Sequence, residues 1–121
     1  VACVAAAFAP FVAAAAVAAG AGGGSAVTPF DPSRYSQQPT ECDRRAAHPE
    51  DPNRVADGRE RKDIDLPAAI AACEAAVAAD PKNPRLNYQL ARVYGYAGQG
   101  EKALPYRRAA TEADYPQALF V

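Results

Sequence analysis

Residues 85–103 read RLNYQLARVYGYAGQGEKA. Apolar residues recur there in helical rhythm, small residues sit among them, and a glycine-rich break follows. Leu86, Leu90, Val93, Tyr94 and Ala97 fall on one side of a helix opening at Pro84, because positions three and four apart face the same way. Gly98 and Gly100 end it. Another helix is predicted in EKALPYRRAATEAD, with Ala103, Leu104, Tyr106 and Ala110 inward and Lys102, Arg107 and Arg108 outward. Pro105 lies inside that helix and predicts a kink in an early turn. Tyr115-Pro116 breaks it, and QALFV begins a further helix. Upstream, Asp65 can cap a helix whose first turn holds Pro67. Its run PAAIAACEAAVAAD carries a narrow stripe of Ile70, Cys73 and Val77, and Asp80-Pro81 stops it. Helices of about twelve to fifteen residues joined by turns of three or four must pack antiparallel.

Composition fits thin helical layers. Half of the 121 residues are hydrophobic, but alanine carries most of that, and Trp and Met are absent. Alanine lets helices approach closely, whereas a thick core needs larger side chains. The net charge of −1 gives no pull toward nucleic acid or acidic membranes. No catalytic constellation stands out.

Charge divides the chain. Residues 1–30 carry none, and residues 31–65 are crowded with both signs. The apolar leader (1–27) has nothing polar between Val1 and Ala19 beyond Cys3. Those residues could reach roughly 28 Å as a helix, close to the thickness of a bilayer core. A cleaved secretory signal and a retained membrane anchor both fit. Lipidation at Cys3 is a third reading, and a buried core helix a fourth, disfavoured because too little chain remains to surround it. The first three send the rest of the chain across a membrane. There is no initiator Met, and YPQALFV stops as an apolar pattern begins. Both ends are read as those of a segment of a longer protein.

The connecting segment (28–64) is rich in Pro, Asp and Arg. Pro29, Pro32, Pro39, Pro49 and Pro52 forbid a long helix. It is too long for a bland linker, so it is either partly disordered or pinned. Cys42 is the candidate pin, with Cys73 on the first clear helix. In an oxidising compartment the two can pair, contributing about 3 to 4 kcal/mol; otherwise they are two buried thiols. The cysteines and His48 lack metal-ligand spacing, and neither metal nor cofactor is expected. His48, preceding a proline, reads as an exposed turn residue.

The two helices around residues 85–103 resemble a tetratricopeptide repeat. Leu90, Ala91 and Tyr94 match its first helix, Gly98 its turn, and Ala103 and Ala110 the small positions of its second helix. One repeat earlier, Ala69, Cys73 and Ala76 take the second-helix positions and Pro81 the closing proline. YRRAATEADYPQA also resembles the related Sel-like repeat. The stretch from CDRRAAHPEDPNRV to AIAACEAAVAADPKNPR looks like a segment that introduces such repeats in proteobacterial envelope proteins. Arg107 departs from the pattern, which prefers an aromatic there. The first repeat has no first helix, and the Cys42 segment stands in its place.

The resemblance implies an all-α solenoid of helix pairs over residues 65–121, with an irregular cap pinned by Cys42–Cys73. It implies a non-catalytic interaction scaffold or accessory subunit of a bacterial envelope complex. Its partner would be a protein, its location the periplasm, and its tether to the inner membrane residues 1–19. The outward residues Arg85, Asn87, Tyr88, Gln89 and Arg92 are the candidates for a partner-binding face; equally, they can be simply solvated. An exported repeat region of a longer peptidase or cell-wall hydrolase is the alternative.

Overall fold

A computed structural model describes residues 29–120. Among them the chain forms four α-helices and three short 3-10 turns, with no strand. The helices are α1 (Glu41–Ala46), α2 (Leu66–Ala79), α3 (Pro84–Tyr96) and α4 (Gly100–Glu112). The expected leader, its signal, anchor and lipidation readings, and Val121 lie outside the described residues. No described helix is long and apolar enough to cross a membrane.

Local chemistry sets the helix ends. Thr40 caps α1 by accepting from the Asp43 amide at 3.2 Å, while the Asp43 carboxylate accepts from the Thr40 amide at 2.8 Å. This reciprocal box satisfies two N–H groups that a short helix would otherwise leave orphaned. Asp65 caps α2 through the Ala68 amide, and Asn83 caps α3 through the Arg85 amide. Pro67 and Pro84 sit in first turns, where a missing N–H costs nothing. At the other ends α3 and α4 close alike. Gln99 N–H bonds Tyr94 O and Gly98 N–H bonds Gly95 O; in α4, Tyr115 N–H bonds Ala110 O and Asp114 N–H bonds Thr111 O. This pattern needs a left-handed residue just past the helix. Gly98 supplies it at φ 74°, and Asp114 at φ 58°.

Helix α3 is the centre of the fold, and α1, α2 and α4 all pack on it. It buries Leu86, Leu90, Ala91, Val93 and Tyr94. Alanines on its neighbours allow the close approach: Ala69 and Ala76 on α2, Ala103 and Ala110 on α4, all buried. Tyr106 fills the space beside Tyr94, ring centroids 5.8 Å apart. A second cluster gathers Ala110, Tyr115 and Ala118 with Phe30 and Tyr88. Phe30 meets Tyr115 edge-on at 5.0 Å, so the first described residues are tied to the last ones.

Three expectations need correction. Leu104 is 51% exposed rather than inward, because α4 buries little more than Ala103 and Ala110 toward α3. QALFV does not begin an α-helix within the described residues; Pro116–Leu119 is a 3-10 turn that leaves Leu119 and Phe120 exposed. The Cys42 segment, expected to stand where a first helix is missing, holds a short helix of its own: α1 runs only from Glu41 to Ala46, in keeping with the prolines, and packs on α2 and α3.

The segment before α2 is pinned. Cys42 and Cys73 form a disulfide with both cysteines fully buried. Arg59 N–H bonds Ala47 O at 2.7 Å. Gly58 permits this approach, because a Cβ there would stand 2.3 Å from Pro49 Cα. A buried disulfide suits an oxidising compartment rather than the reducing cytosol.

Candidate functional site

The polar residues of α3 are where site and scaffold separate. Arg85, Asn87, Gln89 and Arg92 were expected to face a partner. All four are buried, Arg85 at 2% and Arg92 at 7% exposure. Asn87 is spent locally, donating to the carbonyls of Pro81 and Asn83. The other three grip the segment around α1, because positions 85, 89 and 92 share one helix face.

Arg85 Nε donates to Asp43 Oδ1 at 2.8 Å, and its Nη1 to Ser36 O at 2.7 Å. Gln89 Nε2 donates to Asp43 Oδ1 at 3.1 Å and lies 3.4 Å from Cys42 Sγ. Gln89 Oε1 is buried with no hydrogen-bond partner among the described residues. Turning the amide over would satisfy nothing, since that oxygen would then meet the Asp43 carboxylate. Arg92 Nη1 donates to the carbonyls of Ala46 and Ala47 at 3.0 Å each, and Nη2 to that of Arg59 at 2.8 Å. A cation thus sits at the C-terminus of α1, where the orphaned carbonyls carry partial negative charge. Burial pushes the Asp43 carboxyl up, but the Arg85 guanidinium and the Thr40 donors outweigh it and hold it below the usual carboxylate value.

Beside this clamp lies a groove of about 360 Å³. Its floor is the outer face of α3: Tyr88, Ala91, Arg92, Gly95 and Tyr96. Its walls are Arg107 on α4, His48, and the terminal turn through Gln117, Ala118 and Phe120. Of the five expected face residues, Tyr88 and the side of Arg92 line this groove. Sequence reasoning did not assign His48, Gly95, Tyr96 or Gln117 to a site, and it placed Arg107 simply outward. The departure at Arg107 from the repeat pattern was the one signal available.

The groove has a definite electrostatic character. Tyr96 carries the Arg61 guanidinium 4.7 Å above its ring centroid and that of Arg92 at 5.1 Å. Burial, then the charge of Arg92, lowers the pKa of His48. Its Nδ1 accepts from the Glu50 amide at 3.0 Å, so it is a half-buried turn residue rather than an exposed one. Burial drives the Tyr88 phenol up to about 12. Tyr115 is raised as well, first by burial and then by its bond to the buried Asp51 carboxylate. Both phenols stay protonated, and that of Tyr115 donates to the Asp51 carboxylate. Among the described residues no cluster of three or more His, Cys, Asp and Glu side chains is placed to hold a metal ion.

No family model, no curated protein and no solved structure matches the chain.

Proposed function

We propose that the chain is a non-catalytic protein–protein interaction module, built as a short tetratricopeptide-like stack. We infer that it serves as a scaffold or accessory subunit of a bacterial envelope complex, in the periplasm, with residues 1–19 as the tether. The observation that carries the reading is the groove of Tyr88, Tyr96, Arg107 and Phe120 beside a fully engaged clamp. Aromatic residues and arginine are the side chains that dominate protein interfaces. The packing order supports a repeat stack: each helix lies on the next, and the buried pairs Ala69 with Ala103 and Ala76 with Ala110 recur at the repeat length. The disulfide supports an exported location.

Site-specific photo-crosslinking in native membranes tests this. A photoreactive residue replacing Phe120 should capture a discrete protein partner, and one replacing Ala78, exposed on α2, should not. Equal labelling from both positions, or none from Phe120, rejects the proposal.

A further inference from the structure

We propose that the groove takes an acidic segment of the partner, in which a carboxylate stands next to an aromatic or aliphatic side chain. This rests on the interaction reading above and names the chemistry of its partner.

The charged residues lining the groove are arginines, Arg92 and Arg107. Ion pairs among the described residues are those of Glu41 with Arg44 and Arg45 and of Asp43 with Arg85. None involves Arg107, Arg61 or Arg92. Arg107 lies over Gly95, where a Cβ would stand 3.9 Å from its Nη2. Arg61 sits on the ring of Tyr96, which lines the same groove. Arg92 donates to three carbonyls and to the Tyr96 hydroxyl, all of them acceptors without a formal charge. Two guanidiniums, those of Arg92 and Arg107, thus line the groove, Arg61 lies on the ring of its residue Tyr96, and no groove-lining residue is acidic. The acids nearby, Glu50, Asp51 and Glu60, bear on His48, and the Asp51 carboxylate is engaged by the Tyr115 hydroxyl and the Asn53 amide.

A carboxylate matches the fork of Arg107, and a charged acceptor roughly doubles the strength of such bonds. The apolar half of the ligand has its own wall in Ala91, Ala118 and Phe120, the last 81% exposed. Residues 1–28 contain no acid, so the leader cannot supply the carboxylate. A guanidinium on the wall of a groove suits single side chains better than a lipid surface, which is held by clusters of exposed basic groups.

The test uses the oxidised full chain and a fluorescent probe peptide of alternating Glu and Phe, read by anisotropy. The expected result is binding about tenfold tighter than to the matching Lys and Phe peptide, weakening as salt rises. Arg107→Glu should abolish that preference and Arg107→Lys retain part of it, both with an unchanged thermal melt. Equal binding of the two probes, or indifference to Arg107→Glu, overturns the proposal. So does Arg107-dependent binding to phosphatidylglycerol vesicles with no binding of the acidic probe. Crosslinking from position 120 separates the two levels. A partner still captured by the Arg107→Glu chain leaves the interaction role standing while the acidic class falls; no capture and no probe binding removes both.

Discussion

Arg85 reaches both carboxylate oxygens of Asp43, forty-two positions away, through Nε at 2.8 Å and Nη2 at 3.4 Å. Both residues are buried, so neither charge has water to fall back on. Their Coulomb attraction is offset by desolvation, and the pair's value lies mainly in the penalty of breaking it.

Removing one partner should therefore be costly. Arg85→Met leaves the Asp43 carboxylate buried without its cation and is expected to destabilise by about 3 to 5 kcal/mol. Asp43→Asn together with Arg85→Met, which removes the unpaired charge and keeps an acceptor for Thr40 or Gln89, should cost less than Arg85→Met alone. Urea unfolding of the oxidised variants measures both. A single variant within about 0.5 kcal/mol of the wild type would show that the clamp is not closed in solution.

Acid should loosen the same clamp. The folded pKa of Asp43 is lowered, so its contribution is fully present above the unfolded value of about 3.9 and is lost as pH falls through the folded pKa. His48 acts in the same direction at higher pH. Its folded pKa is also lowered, so the unfolded chain takes up its proton first, and stability drops as pH falls below about 6.5. Thermal melts from pH 7 to pH 3 should show a shallow loss near pH 6 and a steeper one below pH 4. In His48→Gln the first loss should vanish and the second remain.

The disulfide closes a loop of 31 residues. By chain entropy it contributes about 3 to 4 kcal/mol, a large share for a domain this small. Cys42→Ser with Cys73→Ser should shift the urea midpoint by the corresponding amount, and reductant should do the same to the wild type. A double variant as stable as the parent would place the strength of the cap wholly in the Arg85 and Arg92 contacts.

Asp114 holds a backbone conformation, φ 58°, that glycine adopts freely. Asp114→Gly at the end of α4 is expected to stabilise by a few tenths to about 1 kcal/mol. Gly98→Ala at the matching position of α3, φ 74°, should destabilise by a similar amount. Melting temperatures that move together instead of apart would contradict the shared helix ending.

Helices α2 to α4 were legible in the sequence because apolar spacing and capping residues are local signals. Asp65 with Pro67, Pro84 at the start of α3 and the turn at Gly98 all lie beside what they control. The partners of Arg85, Gln89 and Arg92 are different in kind. They are a carboxylate and backbone carbonyls more than thirty residues upstream, and no periodicity announces a carbonyl. Polar residues on a helix facing an unread segment therefore passed for a solvent or partner face. Helix α1 had a local signal that went unused, the Thr40 to Asp43 capping box. The groove was not legible, since Gly95, Arg107 and His48 meet only through the fold.

The clamp also bears on the order in which the chain can fold as it emerges from its N-terminus. The side chains that hold α1 come from positions 73, 85, 89 and 92. The earliest-made part of the cap can meet Cys73 once α2 exists, but the grip of Arg85, Gln89 and Arg92 comes only with α3. A stall or truncation between α2 and Arg85 would release a chain whose first segment has its disulfide partner but none of the polar grip of α3.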